Sequence, residues 1–173
     1  MDIALGIGTN VGDRLANLQQ AVSSLSEFVI DIKPSVIYES EALLPEGAPD
    51  SWNQNFFNMV VRGRTKLQPL ELLRELKKIE KNIGRQERGF WSPREIDIDI
   101  LIYGDNNIEM RELTIPHQHM LSRSFVLLPL NDVWSDWQCN VIGELKGKSV
   151  SEILRIQRFS TQECCPTNHK LSW

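Results

Sequence analysis

Two amphipathic helical patterns, each lying between strand-like segments, constrain the fold of this chain more than any other feature. Apolar residues recur every three or four positions between residues 15 and 25, and again between residues 72 and 83. Strand-like segments cover residues 2–8, 29–39, 55–64 and 96–103. The order β-α-β-β-α-β predicts an α+β, ferredoxin-like sandwich, in which a mainly antiparallel sheet carries two helices on one face.

Proline and glycine residues mark the ends of these elements. Pro69 lies where the first turn of a helix tolerates proline, and Gly84 follows the last residue of that helical pattern. Pro34 interrupts the second strand, which predicts an edge strand or a bulge there. Beyond this unit we expect short helices at residues 122–130 and 149–157.

The size of the chain favours a single domain. Its 173 residues can bury a hydrophobic core without disulfide or metal cross-links. We expect one domain at residues 1–160 and a tail or linker at residues 161–173, and a further domain beyond that linker is left open. No apolar stretch approaches the roughly 20 residues that cross a bilayer, so we expect no membrane association.

The net charge and the cysteine content limit the possible partners of the protein and its cellular compartment. The net charge of -4 argues against a broad nucleic-acid surface, because such affinity depends largely on many lysine and arginine contacts to phosphate. Residues 1–5 carry an acid where a secretory signal has a basic segment, and the three cysteines match neither zinc-binding spacing nor an even disulfide framework. We therefore expect a cytoplasmic protein with free thiols and no nucleic-acid partner.

The segment Ile96–Ile100 alternates isoleucine with aspartate. Because side chains alternate across a strand, Asp97 and Asp99 leave one face while the isoleucines enter the core. The water-exposed face of an antiparallel sheet gives the same pattern. Aspartate is depleted in strands, however, and two like charges on one face repel, which makes the pair costly unless a cation compensates. The carboxylate oxygens therefore favour a Mg²⁺ site.

A basic, glycine-containing loop at residues 84–94 precedes this strand. Arg85, Arg88 and Arg94 lie in it, and guanidinium groups form forked hydrogen bonds with phosphate. Beside a metal site these arginines predict phosphate binding, although such a loop alone is commonly a solvated surface. Trp91, in the same loop, is either a core plug over the sheet or part of the site.

Other patterns carry weaker interpretations. His117 and His119 lack a third soft ligand at suitable spacing, so zinc is not expected, and a hydrogen bond from His117 to phosphate agrees better with the other motifs. The glycines of residues 6–12 are spaced one residue too far apart for a dinucleotide-binding loop. Phe56 and Phe57 are either core residues or contacts for a planar ligand.

These segments occur in an order that resembles one known family. They are Gly8–Asn10, Phe56–Asn58, Glu80 with Arg85, Trp91–Ile100, Pro116–His117 and Arg123–Phe125. Over about residues 2–135 they resemble the 6-hydroxymethyl-7,8-dihydropterin pyrophosphokinases of the folate pathway. The specificity of the resemblance lies in Pro-Arg-x-x-Asp-x-Asp followed by Pro-His and Arg-x-Phe.

The resemblance implies a reaction and its cofactors. Members of this family have a ferredoxin-like fold and transfer pyrophosphate from ATP to the hydroxymethyl oxygen of 6-hydroxymethyl-7,8-dihydropterin, releasing AMP. The implied partners are ATP as co-substrate, the pterin, and two Mg²⁺ ions bridging the ATP phosphates. Fusion to another folate-pathway domain is left open.

The resemblance also implies residue roles by position. Asp97 and Asp99 would hold Mg²⁺, and Arg85 and Arg94 would be the catalytic phosphate clamp. The implied ATP contacts are Glu80, Ile100, Thr114, His117 and Arg123. The implied pterin contacts are Ser40, Leu43, Phe56, Asn58, Trp91 and Phe125. The tryptophan would lie on a loop that closes after ATP binds.

The chain departs from the family pattern at some positions. The usual basic residue four before Arg94 is Phe90, and Arg88 is expected to supply the missing charge. A nucleotide-contacting arginine of the family aligns near Glu112, with Arg111 beside it.

Two other functions are weighed against this one. A non-catalytic ferredoxin-like RNA-binding module needs exposed aromatic residues on central strands, where this chain is predicted to carry carboxylates. A nucleotidyltransferase uses the same Mg²⁺ chemistry but releases pyrophosphate instead of AMP.

Overall fold

Strands β1 (Asp2–Thr9) and β4 (Phe56–Thr65) pair antiparallel along their length and form the centre of the sheet. The structure is a computed structural model, and it describes residues 1–86, 88–89, 91–141, 143–157 and 164–172. The other side of β1 pairs with β5 (Asp97–Tyr103), and the other side of β4 pairs with β2 (Val29–Pro34) and β3 (Tyr38–Ser40). All of these pairings are antiparallel, and the predicted α+β, ferredoxin-like sandwich is confirmed.

Helices α1 (Arg14–Leu25) and α2 (Pro69–Ile83) form where the apolar periodicity predicted them. The carboxylate of Asp13 caps α1, and α2 ends at Gly84, whose φ of 104° lies in the left-handed region that glycine adopts without strain. Both helices cover one face of the sheet. The hydrophobic core between these helices and the sheet, here called the main core, includes Leu18, Leu25, Leu72 and Leu76.

The opposite face of the sheet is covered as well, by α3 (Ser124–Trp134) and α4 (Val150–Ile156). These are the two short helices expected from the sequence. The expectation of helices on one face only was therefore incomplete. The sheet has apolar residues on both faces, and Ala4, Val60 and Leu101 form a second core with the later helices.

Strand β5 lies at one edge of the sheet, so the expectation that the acidic strand is central was wrong. A bulge shifts its register against β1, since Ile100 lies opposite Leu5 whereas Ile102 lies opposite Ala4. Leu101 is the extra residue. The bulge lets β5 contribute to both cores while its two aspartates face the side of α3.

The predicted second strand is divided, because β2 ends at Pro34 and β3 starts at Tyr38. Short strands β6 (Ile108–Glu109) and β7 (Thr114–Ile115) pair with each other, and single 3₁₀ turns occur at Asp50–Trp52 and Met120–Ser122. Among the helices that the structure describes, none combines the length and apolarity needed to cross a membrane.

The tail or linker expected at residues 161–173 contains a short strand. Its residues Cys164–Pro166 form β8, which pairs antiparallel with β3 at the edge of the sheet opposite β5. A strand of three residues is too short to produce a hydrophobic period, and its partner lies far away in sequence, so the pattern did not reveal it.

Candidate active site

Two glycines of β1 form the floor of a cleft on the α3 side of the sheet. Gly6 and Gly8 alternate along β1 with residues that enter the main core. A Cβ atom on Gly8 would lie 3.1 Å from Asn58 Oδ1, and one on Gly6 would lie 3.3 Å from the side chain of Leu101. The missing side chains leave a cleft of about 890 Å³, including space open to solvent, above the backbone.

All six residues expected to contact a pterin line this first cleft. They are Ser40, Leu43, Phe56, Asn58, Trp91 and Phe125. The buried Asn58 donates a hydrogen bond through Nδ2 to Ser40 Oγ at 2.9 Å. Aromatic side chains from β4 and α3, with a buried amide and hydroxyl beside them, suit a flat ligand that has polar atoms at its edge.

The two aspartates of β5 have different electrostatic environments. Asp97 Oδ1 lies 2.5 Å from Arg85 Nη1, and Asp97 Oδ2 lies 2.7 Å from Arg94 Nη1. Burial alone would raise the pKa of Asp97, but the charges of Arg94 and Arg85 outweigh it and hold the pKa below its usual range. Burial, followed by the charge of Asp97, raises the pKa of Asp99 to about 6. The excess negative charge of the pair is therefore concentrated at Asp99.

A second cleft meets the first at Asp99 and His117, which line both. It measures about 720 Å³, including open space, and lies between α2 and the segment around β7. Ile100 and Thr114 line it, as expected of ATP contacts, whereas Arg123 lines the first cleft instead. Two adjoining clefts with a shared carboxylate suit two substrates that react where the clefts meet.

His117 is held as a neutral donor at this junction. Its backbone nitrogen donates to Leu101 O at 3.0 Å, and its Nδ1 accepts a hydrogen bond from the backbone of His119 at 3.3 Å. Burial, followed by the charge of Arg123, lowers the pKa of His117 to about 4. With Nδ1 acting as an acceptor, the proton lies on Nε2, which can donate to a phosphate oxygen.

Glu80 supports the site from α2 without facing either cleft. Its side chain is 3% exposed, and its Oε1 accepts hydrogen bonds from Ile98 N at 2.7 Å and Lys77 Nζ at 2.8 Å. Its Oε2 lies 2.8 Å from Arg85 Nη1. These contacts position Arg85 and the backbone of β5. Glu80 lies outside the lining of both clefts, and its implied ATP contact stays a prediction. Arg85 also lies outside the lining of both clefts and reaches the site through Asp97.

Asn10 fixes the arginine-bearing loop to the end of β1. Its Oδ1 accepts a hydrogen bond from Arg94 N at 2.8 Å, and its own backbone nitrogen donates to Arg94 O at 3.1 Å. The side-chain nitrogen of Asn10 also donates to Gln54 O at 3.2 Å. The arginine-bearing loop and the loop that contains Gln54 are thereby attached to one buried residue directly after β1.

Trp91 lines the cleft and is not a core plug, since 49% of its surface is exposed. Its φ of 65° lies in the left-handed region, which is uncommon for a bulky residue and is found at functional loops. Arg88, which was expected to supply the missing charge, lines neither cleft and pairs with Glu95 at 2.6 Å. Phe90 lies outside the residues that the structure describes.

Several site residues were not found from the sequence. Trp52 lines the first cleft from its 3₁₀ turn, and Lys77 lines the second. Arg111, which the sequence placed beside the position of a nucleotide-contacting arginine, also lines the second cleft. An aromatic residue in an otherwise punctuated loop was the available signal for Trp52. Lys77 lies three residues before Glu80 on α2, so the helical period places it on the face that carries Glu80. The roles of Asn10 and of the glycine floor depend on contacts distant in sequence.

The aspartate pair fits Mg²⁺ together with phosphate ligands. Within the described ranges, no cluster of three or more histidine, cysteine, aspartate or glutamate residues could hold a metal ion alone. Mg²⁺ is commonly bound through one or two carboxylates, while water and substrate phosphates complete its coordination. The raised pKa of Asp99 indicates a position where a cation would be favourable.

Sequence comparisons identify relatives over most of the chain. The family model for 7,8-dihydro-6-hydroxymethylpterin-pyrophosphokinase (HPPK) matches residues 4–135. The 2-amino-4-hydroxy-6-hydroxymethyldihydropteridine pyrophosphokinase of Aquifex aeolicus is 42% identical over 151 residues, which cover 87% of this chain and 88% of that protein. The folate synthesis bifunctional protein of Chlamydia trachomatis is 44% identical over 165 residues, which cover 93% of this chain but 37% of the relative.

Solved structures agree on the fold. A Plasmodium falciparum HPPK-DHPS variant crystallised with pterin and p-hydrobenzoate has a TM-score of 0.67 at 18% identity, covering 90% of this chain and 44% of that one. The wild-type protein of that organism has a TM-score of 0.65 at 18% identity, with the same two coverages. The family match over residues 4–135 and the identity to the named relatives show that this chain belongs to the 7,8-dihydro-6-hydroxymethylpterin-pyrophosphokinase family.

Proposed function

We propose that this chain transfers pyrophosphate from ATP to the hydroxymethyl oxygen of 6-hydroxymethyl-7,8-dihydropterin, releasing AMP, in folate biosynthesis. The family match and the named relatives support this reaction. The observation that carries the proposal is the meeting of two clefts at Asp99 and His117. A pterin in the first cleft and ATP in the second would bring the hydroxyl group and the phosphates to the same pair of carboxylates.

The first cleft has the chemistry to bind the pterin. The glycine floor lets a planar ring approach the backbone of β1, and Phe56 and Phe125 offer aromatic faces to it. Ser40 and Asn58 form a buried polar pair that can hydrogen-bond the ring edge. Because buried polar groups are costly when unpaired, this pair would discriminate against a ring that lacks matching donors and acceptors.

Arg85 and Arg94 would serve two purposes in turn. In the free enzyme they neutralise Asp97 through the contacts at 2.5 Å and 2.7 Å. When ATP brings its own negative charge, the guanidinium groups can form forked hydrogen bonds with phosphate oxygens. Lys77, His117 and Arg123 add donors around the same junction. Charge developing on the transferred group would thus be stabilised by groups already in position.

We assign the holding of two Mg²⁺ ions to Asp97 and Asp99 together with the ATP phosphates. When bound, the ions would neutralise phosphate charge and orient the reacting groups. A pKa of about 6 keeps Asp99 mainly ionised at neutral pH, which is the form that a cation requires.

The reaction itself is a displacement at phosphorus. The hydroxymethyl oxygen forms a bond to the β-phosphorus, its proton is released, and the bond from that phosphorus to the oxygen bridging the α-phosphate breaks. AMP is the leaving group. Trp52 and Trp91 border the cleft from two different loops, so closure of these loops would exclude water, which otherwise competes as the acceptor.

Product analysis tests the proposed function. Incubation with ATP and 6-hydroxymethyl-7,8-dihydropterin should give AMP and the pyrophosphorylated pterin in equal amounts, measured by chromatography. Formation of only ADP, or only of pyrophosphate as a nucleotidyltransferase would release, would overturn the proposal. Asp97→Ala and Asp99→Ala should each remove most of the activity while the circular dichroism spectrum is unchanged. Near-normal rates of these variants at saturating Mg²⁺ would exclude their role in metal binding.

We also propose that the enzyme acts in the cytoplasm, in agreement with its composition. The bifunctional relatives, of which this chain matches only part, support the idea that such a domain works alone or fused to another folate-pathway domain.

A further inference from the structure

We propose that residues 164–172, here called the C-terminal segment, position the pterin-binding ends of β3 and β4 and so set the affinity of the enzyme for the pterin. This inference depends on the proposed function of the first cleft. The segment lies outside residues 4–135, which match the family model.

The segment first supports β3 from its outer side. In β8, Cys164 lies opposite Ser40 and Pro166 lies opposite Tyr38, and the next residue, Thr167, donates a hydrogen bond to Ile37 O at 2.7 Å. Strand β3 is only three residues long and would otherwise be an edge strand. Ser40 is its last residue, and the loop that borders the first cleft begins directly after it.

The segment also supports β4 from the face opposite the cleft. The ring of His169 lies 5.2 Å from the ring of Phe57, and the guanidinium of Arg14 lies 3.7 Å from the same phenyl ring. Phe57 is the residue between Phe56 and Asn58, whose side chains line the cleft. The aromatic contact therefore acts on the backbone that carries two of the proposed pterin contacts.

The far end of the segment is attached to α1. Leu171 packs against the main core, and the backbone nitrogen of Ser172 donates to Gln19 Oε1 at 3.1 Å. Attachment at both ends keeps β8 and His169 against the sheet. The segment is thus a strap that is attached to β3 at one end and to α1 at the other.

The position of the strap predicts a selective effect. It covers the β3 edge of the sheet, whereas the residues of the second cleft lie on α2, β5 and β7 beyond the opposite edge. Loosening the strap should let Ser40 and Asn58 lose their relative geometry, which weakens hydrogen bonding to the pterin ring. The geometry of the second cleft, and with it the affinity for ATP, should be unchanged.

Steady-state kinetics of the 173-residue chain test this inference. His169→Ala should raise the KM for the pterin by about three- to tenfold, with the KM for ATP unchanged. His169→Phe retains a ring over Phe57 and should restore the wild-type KM. Lys170→Ala, at an exposed neighbouring position, is the matched control and should behave like the wild type. Calorimetric titration with the pterin in the presence of a non-hydrolysable ATP analogue should give the same ratios of affinity.

Two further variants make the result independent of one side chain. Thr167→Pro removes the backbone donor to Ile37 O, and a chain ending at Gln157 removes the whole strap. Both should raise the KM for the pterin selectively. If the shortened chain fails to fold, the two single substitutions decide the question. Equal KM changes for both substrates, or no change in His169→Ala and Thr167→Pro, would overturn the inference, whereas failure of the wild type to form AMP would overturn the proposed function instead.

Discussion

Replacing Asp99 by asparagine should make the metal-free protein more stable while removing most of its activity. Burial and the neighbouring charge of Asp97 raise the pKa of Asp99 to about 6, so the ionised side chain is unfavourable in the folded state. Asparagine has nearly the same shape and no charge. It would relieve the repulsion but would be a poor ligand for Mg²⁺. Stability and activity should therefore change in opposite directions.

The size of the effect follows from the change in pKa. A rise from 3.8 to about 6 is worth roughly 3 kcal/mol, at about 1.4 kcal/mol per pKa unit. The folded-state pKa lies above the unfolded one, so at a pH between the two pKa values the folded protein binds more protons than the unfolded chain. Stability is therefore lost as the pH rises through this range. The cost is complete above the folded-state pKa and absent below the unfolded one. At pH ~8, Asp99→Asn should gain roughly 2–3 kcal/mol, or about 4–12 °C in Tm.

Urea and thermal denaturation in the presence of a chelator would measure this gain. The comparison should be made at pH ~8 and at pH ~4, where the difference between variant and wild type should nearly disappear. Asp97→Asn is the matched control because it removes a carboxylate that is paired with Arg85 and Arg94. It should lose about 1–3 kcal/mol instead of gaining stability.

A lower or unchanged Tm for Asp99→Asn at the higher pH would refute the electrostatic argument. Stabilisation by Asp97→Asn would refute it as well, since the two arginines would then not be compensating that carboxylate. Retention of full activity by Asp99→Asn would separate the charge repulsion from the proposed metal-binding role.

Three other substitutions test separate parts of the site. Trp52→Ala should raise the KM for the pterin by about tenfold, with Trp52→Phe in between, because Trp52 borders the first cleft; equal KM values in steady-state assays would contradict this contact. His117→Gln should make the stability of the folded protein less sensitive to acid, because the pKa of His117 is about 4 in the folded state against 6.5 when unfolded. Between pH ~7 and pH ~4.5 the free energy of unfolding of the wild type should fall by about 2–3 kcal/mol more than that of the variant, and an equal fall in both proteins would disprove this. Asn10→Ala should lower kcat about tenfold or more by releasing Arg94, while the circular dichroism spectrum remains native; an unchanged kcat would show that this loop needs no such attachment.

The sequence contained enough information for the common fold because its elements have strong local signals. Helices α1 and α2 have clear apolar stripes, and Gly84 ends the second as predicted. The acidic strand was also found, and the residues expected to contact a pterin all line the first cleft. These features were predictable because the spacing of apolar side chains and of the motifs depends on the conformation of the local backbone.

Features created by long-range packing were not predictable in this way. The edge position of β5 depends on which strand pairs with β1, and the period of Ile96–Ile100 is the same at an edge or in the centre. Glu80 matched a family position, but its burial under β5 is visible only when α2 and the sheet are packed together. The pairing of β8 with β3 joins parts of the chain that share no local pattern.

The glycine floor limits where substrate preference can change. Strand β1 presents backbone instead of side chains to the first cleft and is paired on both sides, by β4 and β5. Almost any replacement of Gly8 would meet Asn58, so this surface has little freedom to vary. Part of the remaining lining, such as Leu43, Trp91 and Phe125, belongs to loops and to the start of α3, where substitution is better tolerated. Enzymes of this shape that prefer different ring substrates should therefore differ in the walls of the cleft, whereas the glycine floor should be the same in all of them.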